Sequence, residues 1–122
     1  MGVGHNFKQA IIWFTKAAQQ GNANAQSQLG ICYYLGFGVE KDFKQAIPWL
    51  TKAAQQGDDY AQHALSVCYY HGEGVEIDYW QAYFWLNKAA EKGNIHSKKD
   101  IAELKELSKL NVANLGSYNV LK

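Results

Sequence analysis

A repeat with a period of 36 residues constrains the fold of this chain more than any other feature. Residues 2–37 align without gaps to residues 38–73, with the same residue at about 22 of the 36 positions. A third copy, residues 74–109, becomes strongly polar in its second half. A period of this length indicates an array of units that pack on their neighbours, and a polar final unit is typical of a cap.

Each copy is divided by a glycine, and the two segments around it have the residue pattern of α-helices. The glycines are Gly21, Gly57 and Gly93, each interpreted as a helix C-cap. In the second copy, apolar side chains at spacings of three and four form one face of each helix. They are Phe43, Ala46, Trp49, Leu50, Ala53 and Ala54 in the first helix, then Ala61, Leu65, Cys68 and Tyr69 in the second. Each copy is therefore predicted to be a helical hairpin.

Helix caps, the pairing of small with large side chains, and a proline further define the predicted hairpins. Asp42 is the predicted N-cap of its first helix, and Asp58 or Asp59 that of its second helix. Paired alanines recur beside a tryptophan in each copy, so Trp13, Trp49 and Trp85 are predicted to fill the space between helices. Pro48 removes a helical hydrogen bond and predicts a bend.

The composition is typical of one globular domain and does not indicate an anionic partner. Hydrophobic residues make up 48% of the 122-residue chain, and the formal net charge is +1. The chain therefore has no strong field with which to bind nucleic acid. No apolar run is long enough to span a membrane. We predict an all-α solenoid over residues 1–110, with repeats at 2–37, 38–73 and 74–109, followed by a C-terminal tail, residues 111–122.

The repeat pattern resembles the Sel-one-like repeat (SLR) family, whose members are relatives of tetratricopeptide repeats. The pattern is Ala-x-x-Trp-Leu/Phe-x-Lys-Ala-Ala-x-x-Gly, then Ala-Gln, then Tyr-x-x-Gly-x-Gly-Val, and it covers residues 2 to about 107. The third copy departs from it at Ser97 and Ser108, which replace an alanine and a glycine. The resemblance implies a right-handed α/α superhelix with a concave inner surface. Family members serve as adaptors or scaffolds, including in bacterial interactions with host cells.

The residues that could carry catalysis or bind a metal are few. Cys32 and Cys68 occupy the same position in adjacent hairpins, where stacked helices hold Cα atoms too far apart for a disulfide, so we expect free thiols in a reducing compartment such as the cytoplasm. Secretion into a host cell is the alternative. The histidines, His5, His63, His71 and His96, lack the spacing of a zinc site. No phosphate loop, Gly-x-Ser-x-Gly or Ser-x-x-Lys sequence is present. We predict no cofactor and no enzymatic activity.

The predicted binding surface is the face of each first helix opposite the core. Trp80 and Phe84 lie one helical turn apart on that face of the third copy, and exposed aromatic side chains often dominate binding energy at protein interfaces. The predicted partner-binding residues are Trp80, Phe84, Lys8, Lys44, Lys52 and Pro48. The sequence thus predicts a non-catalytic module that binds a protein or peptide on its concave face.

Two alternatives to this binding surface follow from the ends of the chain. The tail contains Val112, Leu115, Tyr118, Val120 and Leu121, and it could instead cover Trp80 and Phe84. The second alternative is a structural or self-associating segment of a longer repeat protein, in which the open ends of the solenoid pair between molecules. A hydrolase, an activity attributed to cysteine-rich relatives, ranks third because Ser-x-x-Lys is absent.

Overall fold

The computed structural model describes residues 3–91, 93 and 101–110, and these residues form helices joined by short turns, with no strand among them. The helices are α1 (Val3–Gln19), α2 (Ala23–Leu35), α3 (Phe43–Gln55), α4 (Asp59–His71), α5 (Tyr79–Glu91) and α6 (residues 101–110). From α1 to α5, each helix packs against the next along the chain, and α2 also contacts α4. The fold is the all-α solenoid of about three two-helix repeats that the period predicted.

Polar side chains begin the helices as predicted. Asp42 accepts a hydrogen bond from the backbone N–H of Gln45 at 3.1 Å, and Asp58 accepts one from Ala61 at 2.9 Å. Asp58, rather than Asp59, is therefore the N-cap of α4. Each bond satisfies a backbone donor that the first turn of a helix leaves free.

Glycines end the first helix of each repeat and also link one repeat to the next. Gly21, Gly57 and Gly93 have φ angles of 93°, 97° and 87°, so each lies in the left-handed region just beyond its helix. In the link between repeats, a Cβ atom added at Gly38 would lie 2.6 Å from the carbonyl carbon of Phe7 in α1. Only glycine fits such a close backbone approach.

Each repeat contributes one cluster of buried side chains to a continuous core. The clusters centre on Leu29 in the first repeat, on Leu50 and Leu65 in the second, and on Leu86 and Leu104 in the third. Leu104 belongs to α6, so the last helix closes the core of the third repeat. Neighbouring repeats thereby share one apolar interior, since a single hairpin cannot bury its own apolar face.

The prediction that all three tryptophans fill interhelical space is wrong for the first one. Trp49 packs against the cluster of the first repeat, and Trp85 packs against that of the second. Trp13, however, is 66% exposed. Trp49 and Trp85 each pack onto the preceding repeat, and no repeat precedes Trp13 among the described residues.

Pro48 does not interrupt α3. Helix α3 continues from Phe43 to Gln55 with Pro48 inside it and exposed, and the bend predicted there stays a prediction.

Helix α6 continues to residue 110, past the position at which Gly36 and Gly72 end α2 and α4. Ser108 occupies that position, lies buried and donates a hydrogen bond to the carbonyl of Lys105 at 2.7 Å. The third repeat lacks the glycine turn because serine does not favour a positive φ angle.

Candidate protein-interaction surface

The first helices of the three repeats expose the six residues predicted to bind a partner. Lys8 lies on α1, three of the residues lie on α3, and two lie on α5. The three on α3 are Lys44, Pro48 and Lys52, and the two on α5 are Trp80 and Phe84. The structure brings residues of one helix together, because positions four apart lie one above the other on an α-helix.

The period of 36 residues arranges this surface, which we call the inner face, in rows that run across the repeats. Its middle row is Ile12, Pro48 and Phe84, and all three side chains are exposed. A row of large apolar side chains open to solvent is unusual for a solenoid surface that contacts only water. Ile12, which is 51% exposed, was not among the predicted site residues, although the period identifies it.

The third repeat has the most aromatic part of the inner face. Trp80 is 47% exposed and Phe84 is 36% exposed. The ring centroid of Trp80 lies 5.9 Å from that of Tyr83, and Phe84 meets Trp85 edge to face at 5.0 Å. These contacts hold the two exposed rings in place from one side. The tail predicted to cover them, residues 111–122, lies outside the described residues.

A row of lysines borders the apolar row. It consists of Lys16, Lys52 and Lys88, one from each repeat. Each ammonium group lies 5.0–5.5 Å from the centroid of an aromatic ring, that of Trp13, Trp49 or Phe84 respectively. Such cation–π contacts restrain a flexible side chain and place its charge at a defined position. Lys52 was predicted from the sequence, but Lys16 and Lys88 were not, although each lies 36 residues from Lys52.

The two cysteines have the properties of core residues. Cys32 and Cys68 are buried free thiols. Burial raises the pKa of the Cys68 thiol to about 12 and also raises the pKa of Cys32. The nearby Glu73 charge adds to the effect at Cys68. A protonated, buried thiol is a poor nucleophile and a poor metal ligand.

The described part of the chain contains no cluster of three or more His, Cys, Asp or Glu side chains able to hold a metal ion. Among the histidines, His71 is exposed, with Nδ1 4.0 Å from a Glu73 carboxylate oxygen. His5 and His96 lie among residues whose side chains are not described. No helix in the described residues is long and apolar enough to cross a membrane.

Comparison with known protein families finds one whose model matches most of this chain. The Sel1 repeat model matches residues 1–22, 23–58 and 59–94, at the period found in the sequence. No curated protein sequence matches the chain significantly. Among solved structures, a protective antigen of uropathogenic Escherichia coli strains, which displays an SLR fold, is 44% identical with a TM-score of 0.69. The match covers 71% of this chain and 19% of the antigen.

Two further solved structures are similar over most of the chain. A Sel1 repeat protein from Oxalobacter formigenes is 36% identical with a TM-score of 0.65, and the match covers 67% of this chain and 63% of that protein. Helicobacter pylori cysteine-rich protein B is 28% identical with a TM-score of 0.65, over 77% of this chain and 68% of that protein. This chain thus spans about a fifth of the antigen and under two thirds of the Oxalobacter protein. All three are bacterial proteins.

Proposed function

Because this chain belongs to the Sel1 repeat family, whose members are generally non-catalytic modules for protein–protein interaction, we propose that it binds a protein or peptide on its inner face. Repeat proteins of this kind bind through extended surfaces built by successive units. The anchors are Trp80 and Phe84, with Pro48 beside them. Lys8, Lys44 and Lys52 supply the polar contacts.

The observation that carries this proposal is the exposure of two large aromatic side chains one turn apart on α5. Trp80 is 47% exposed and Phe84 is 36% exposed. Full burial of an apolar side chain contributes about 1.5–3 kcal/mol, and a partner that covers the exposed part of these two rings would gain a fraction of that free energy. Rings already held by neighbouring aromatic side chains lose little conformational freedom on binding.

The two bordering rows indicate the chemistry of the partner. The apolar row of Ile12, Pro48 and Phe84 suits a segment with apolar side chains along one side. The lysine row of Lys16, Lys52 and Lys88 suits carboxylates on that segment. We therefore expect an amphipathic segment with acidic residues, whose charges raise the association rate more than the affinity.

Affinity capture from a lysate of the source cell, or of a host cell, tests this function. The immobilised protein is compared with a Trp80→Ala/Phe84→Ala double variant after circular dichroism has shown equal helicity. A protein retained by the wild type and lost by the double variant supports the inner face as the site. Equal retention by both proteins contradicts it.

A matched control variant is Tyr60→Ala/Tyr70→Ala. These rings are 66% and 42% exposed, comparable to the two anchors, but both lie on α4 and neither belongs to the inner face. The control loses the same number of exposed aromatic side chains, so it separates a specific loss of binding from a general loss of surface hydrophobicity. We expect it to retain the partner.

Self-association is a second candidate function, and the exposure of Trp13 favours it. Trp49 and Trp85 each pack on a preceding repeat, whereas Trp13 is 66% exposed on an otherwise equivalent helix. A second molecule that packs on α1 would bury that ring. Light scattering tests this candidate, which requires a mass that rises with protein concentration and a Trp13→Ala variant that stays monomeric. A constant monomer mass rejects it.

A further inference from the structure

Equivalent glutamines at the two junctions between repeats are anchored in the same way, but among the described residues their side-chain oxygens differ in hydrogen bonding. At the first junction, Gln26 Nε2 donates to the carbonyl oxygen of Ala18 at 3.1 Å. At the second junction, Gln62 Nε2 donates to the carbonyl oxygen of Ala54 at the same distance. The two side chains are therefore anchored identically, with the oxygen of each amide directed away from that carbonyl.

At the first junction a second glutamine completes the arrangement. Gln56 Nε2 donates to Gln26 Oε1 at 2.8 Å and to the carbonyl oxygen of Gly21 at 3.0 Å. One primary amide thus occupies a pair of acceptors, a buried side-chain oxygen and the backbone oxygen of the glycine that ends α1. We call this pair of acceptors the amide seat.

One period later, the residues equivalent to the two acceptors of the amide seat are Gln62, through Oε1, and Gly57, through its carbonyl oxygen. Gln62 is 2% exposed, and its Oε1 has no hydrogen-bond partner in the described part of the chain. A buried acceptor without a donor costs about 1–3 kcal/mol. The position one period after Gln56 is Lys92, so the sequence does not repeat the amide here.

A cavity of about 350 Å³ lies beside Gln62. Gly57 and Gln62 line it on one side, and Trp85, Lys88 and Glu91 of α5 line it on the other. The cavity thus offers acceptors at Gln62 and Glu91, a donor at Lys88 and an aromatic wall. These are the complements of a primary amide, which has two N–H donors, one carbonyl acceptor and a planar apolar face.

We propose that the cavity at the second junction is a binding site for the primary amide of an asparagine or glutamine side chain from a bound protein. The amide nitrogen donates to Gln62 Oε1 and the carbonyl oxygen of Gly57, as that of Gln56 does at the first junction. Lys88 donates to the amide oxygen. The site adjoins the inner face through Lys88 and Phe84, so it names one side chain of the partner whose binding we propose above, and its biological meaning rests on that function.

The site is tested with propanamide, which carries the amide without any peptide. Propanamide is titrated into the uniformly ¹⁵N-labelled protein, and the side-chain amide signals of Gln62 and the indole signal of Trp85 are followed by NMR. We expect saturable shifts at these two residues and none at Gln26 and Trp49, where the seat is already occupied. N,N-Dimethylpropanamide, which has no N–H group, should not reproduce the shifts.

Two variants give independent readouts. Gln62→Met removes the acceptor and should abolish the shift at Trp85. Lys92→Gln restores the residue of the first junction, so its own amide should occupy the seat, block propanamide and raise the melting temperature. Gln26→Met is the matched control for the first variant and should leave propanamide binding unchanged.

Three results would overturn the proposal. The first is the same shifts with propanamide and its dimethyl analogue. The second is binding of propanamide only after Lys92→Ala, which would assign the seat to the chain's own lysine. The third is saturable binding of n-butylammonium without binding of propanamide, which would assign it to an ammonium group. Because no peptide is used, these results are independent of capture by the inner face.

Discussion

Gln56 joins the first two repeats through a hydrogen bond of 2.8 Å from its Nε2 to Gln26 Oε1. Gln56 caps α3 in the second repeat, and Gln26 is a buried residue of α2 in the first. A polar contact between two glutamines therefore fixes the register of neighbouring hairpins, in addition to the apolar core that they share. Polar pairs of this kind specify one packing arrangement because alternatives leave a buried group unsatisfied.

Gln56→Ala should lower the free energy of unfolding by about 1–3 kcal/mol, because it leaves Gln26 Oε1 buried without a donor. Urea denaturation followed by circular dichroism measures the change. Gln55→Ala is the control, since Gln55 is the same residue type one position earlier and is exposed. Equal losses from both variants would show that the bond does not stabilise the junction.

Most of the fold could be predicted because the residues that determine the structure of each repeat lie within that repeat. Asp42, Asp58 and the glycines at positive φ depend only on local backbone chemistry, and the apolar face of α3 follows from its spacing. The packing of Trp13 could not be predicted by the same means. Its sequence surroundings match those of Trp49, and the difference lies in which neighbouring repeat exists to cover it.

A hydrogen bond from Tyr34 to Glu73 links the second helix of the first repeat to the turn that follows α4. The Tyr34 hydroxyl donates to a carboxylate oxygen at 2.6 Å. Tyr34→Phe should lower the free energy of unfolding by about 1–2 kcal/mol, since bonds to charged groups are the stronger ones. Thermal denaturation of this variant is compared with that of Tyr60→Phe, whose ring is 66% exposed. A melting temperature as high as that of the control would contradict the role of the bond.

The close approach of α2 and α3 depends on a residue without a side chain. A Cβ atom added at Gly30 would lie 2.7 Å from both Cγ and Cδ2 of Leu50, which is fully buried. Gly30→Ala should therefore destabilise the protein by about 1–3 kcal/mol through overpacking, offset by about 1 kcal/mol of helix propensity.

The control for Gly30→Ala is Gln28→Ala, an exposed position on the same helix. It changes helix propensity without placing an atom against Leu50. Both variants are measured by urea denaturation. If Gly30→Ala is as stable as this control, the two helices can separate without cost and the packing argument fails.

Stability should fall in alkali because of the buried Cys68 thiol. Burial, and secondarily the charge of Glu73, raises its pKa from the model-peptide value of 9.0 to about 12 in the folded protein. The folded state therefore holds this proton more tightly than the unfolded state. The resulting stabilisation is complete below the unfolded-state pKa of 9.0 and is lost as the pH rises through the folded-state pKa.

Urea denaturation of the wild type and Cys68→Ala at several pH values above about 8 measures this effect. The wild type should lose stability more steeply with rising pH than the variant, even if the variant is less stable throughout because of the cavity it creates. Parallel curves would mean that the thiol is deprotonated equally in both states.

The residues of the inner face could be predicted from the sequence only in part. Trp80 stands out because the equivalent positions hold Lys8 and Lys44, and Phe84 stands out as the aromatic member of an apolar row. Lys16 and Lys88 do not stand out, since lysine is common on exposed helices, and only their ring contacts distinguish them. The open acceptor of Gln62 could not be found from sequence, because it depends on comparing the atoms of two junctions.

The equilibrium dissociation constant of the captured partner, measured by isothermal titration calorimetry, tests the central claim most directly. The wild type is compared with Trp80→Ala, Phe84→Ala and the Tyr60→Ala/Tyr70→Ala control. Binding through the inner face predicts that each single anchor variant weakens the affinity by about 30-fold, the effect of a 2 kcal/mol hot spot, and that the control binds like the wild type. Unchanged affinity in both anchor variants would show that the partner binds elsewhere and that these rings are not the anchors of the site.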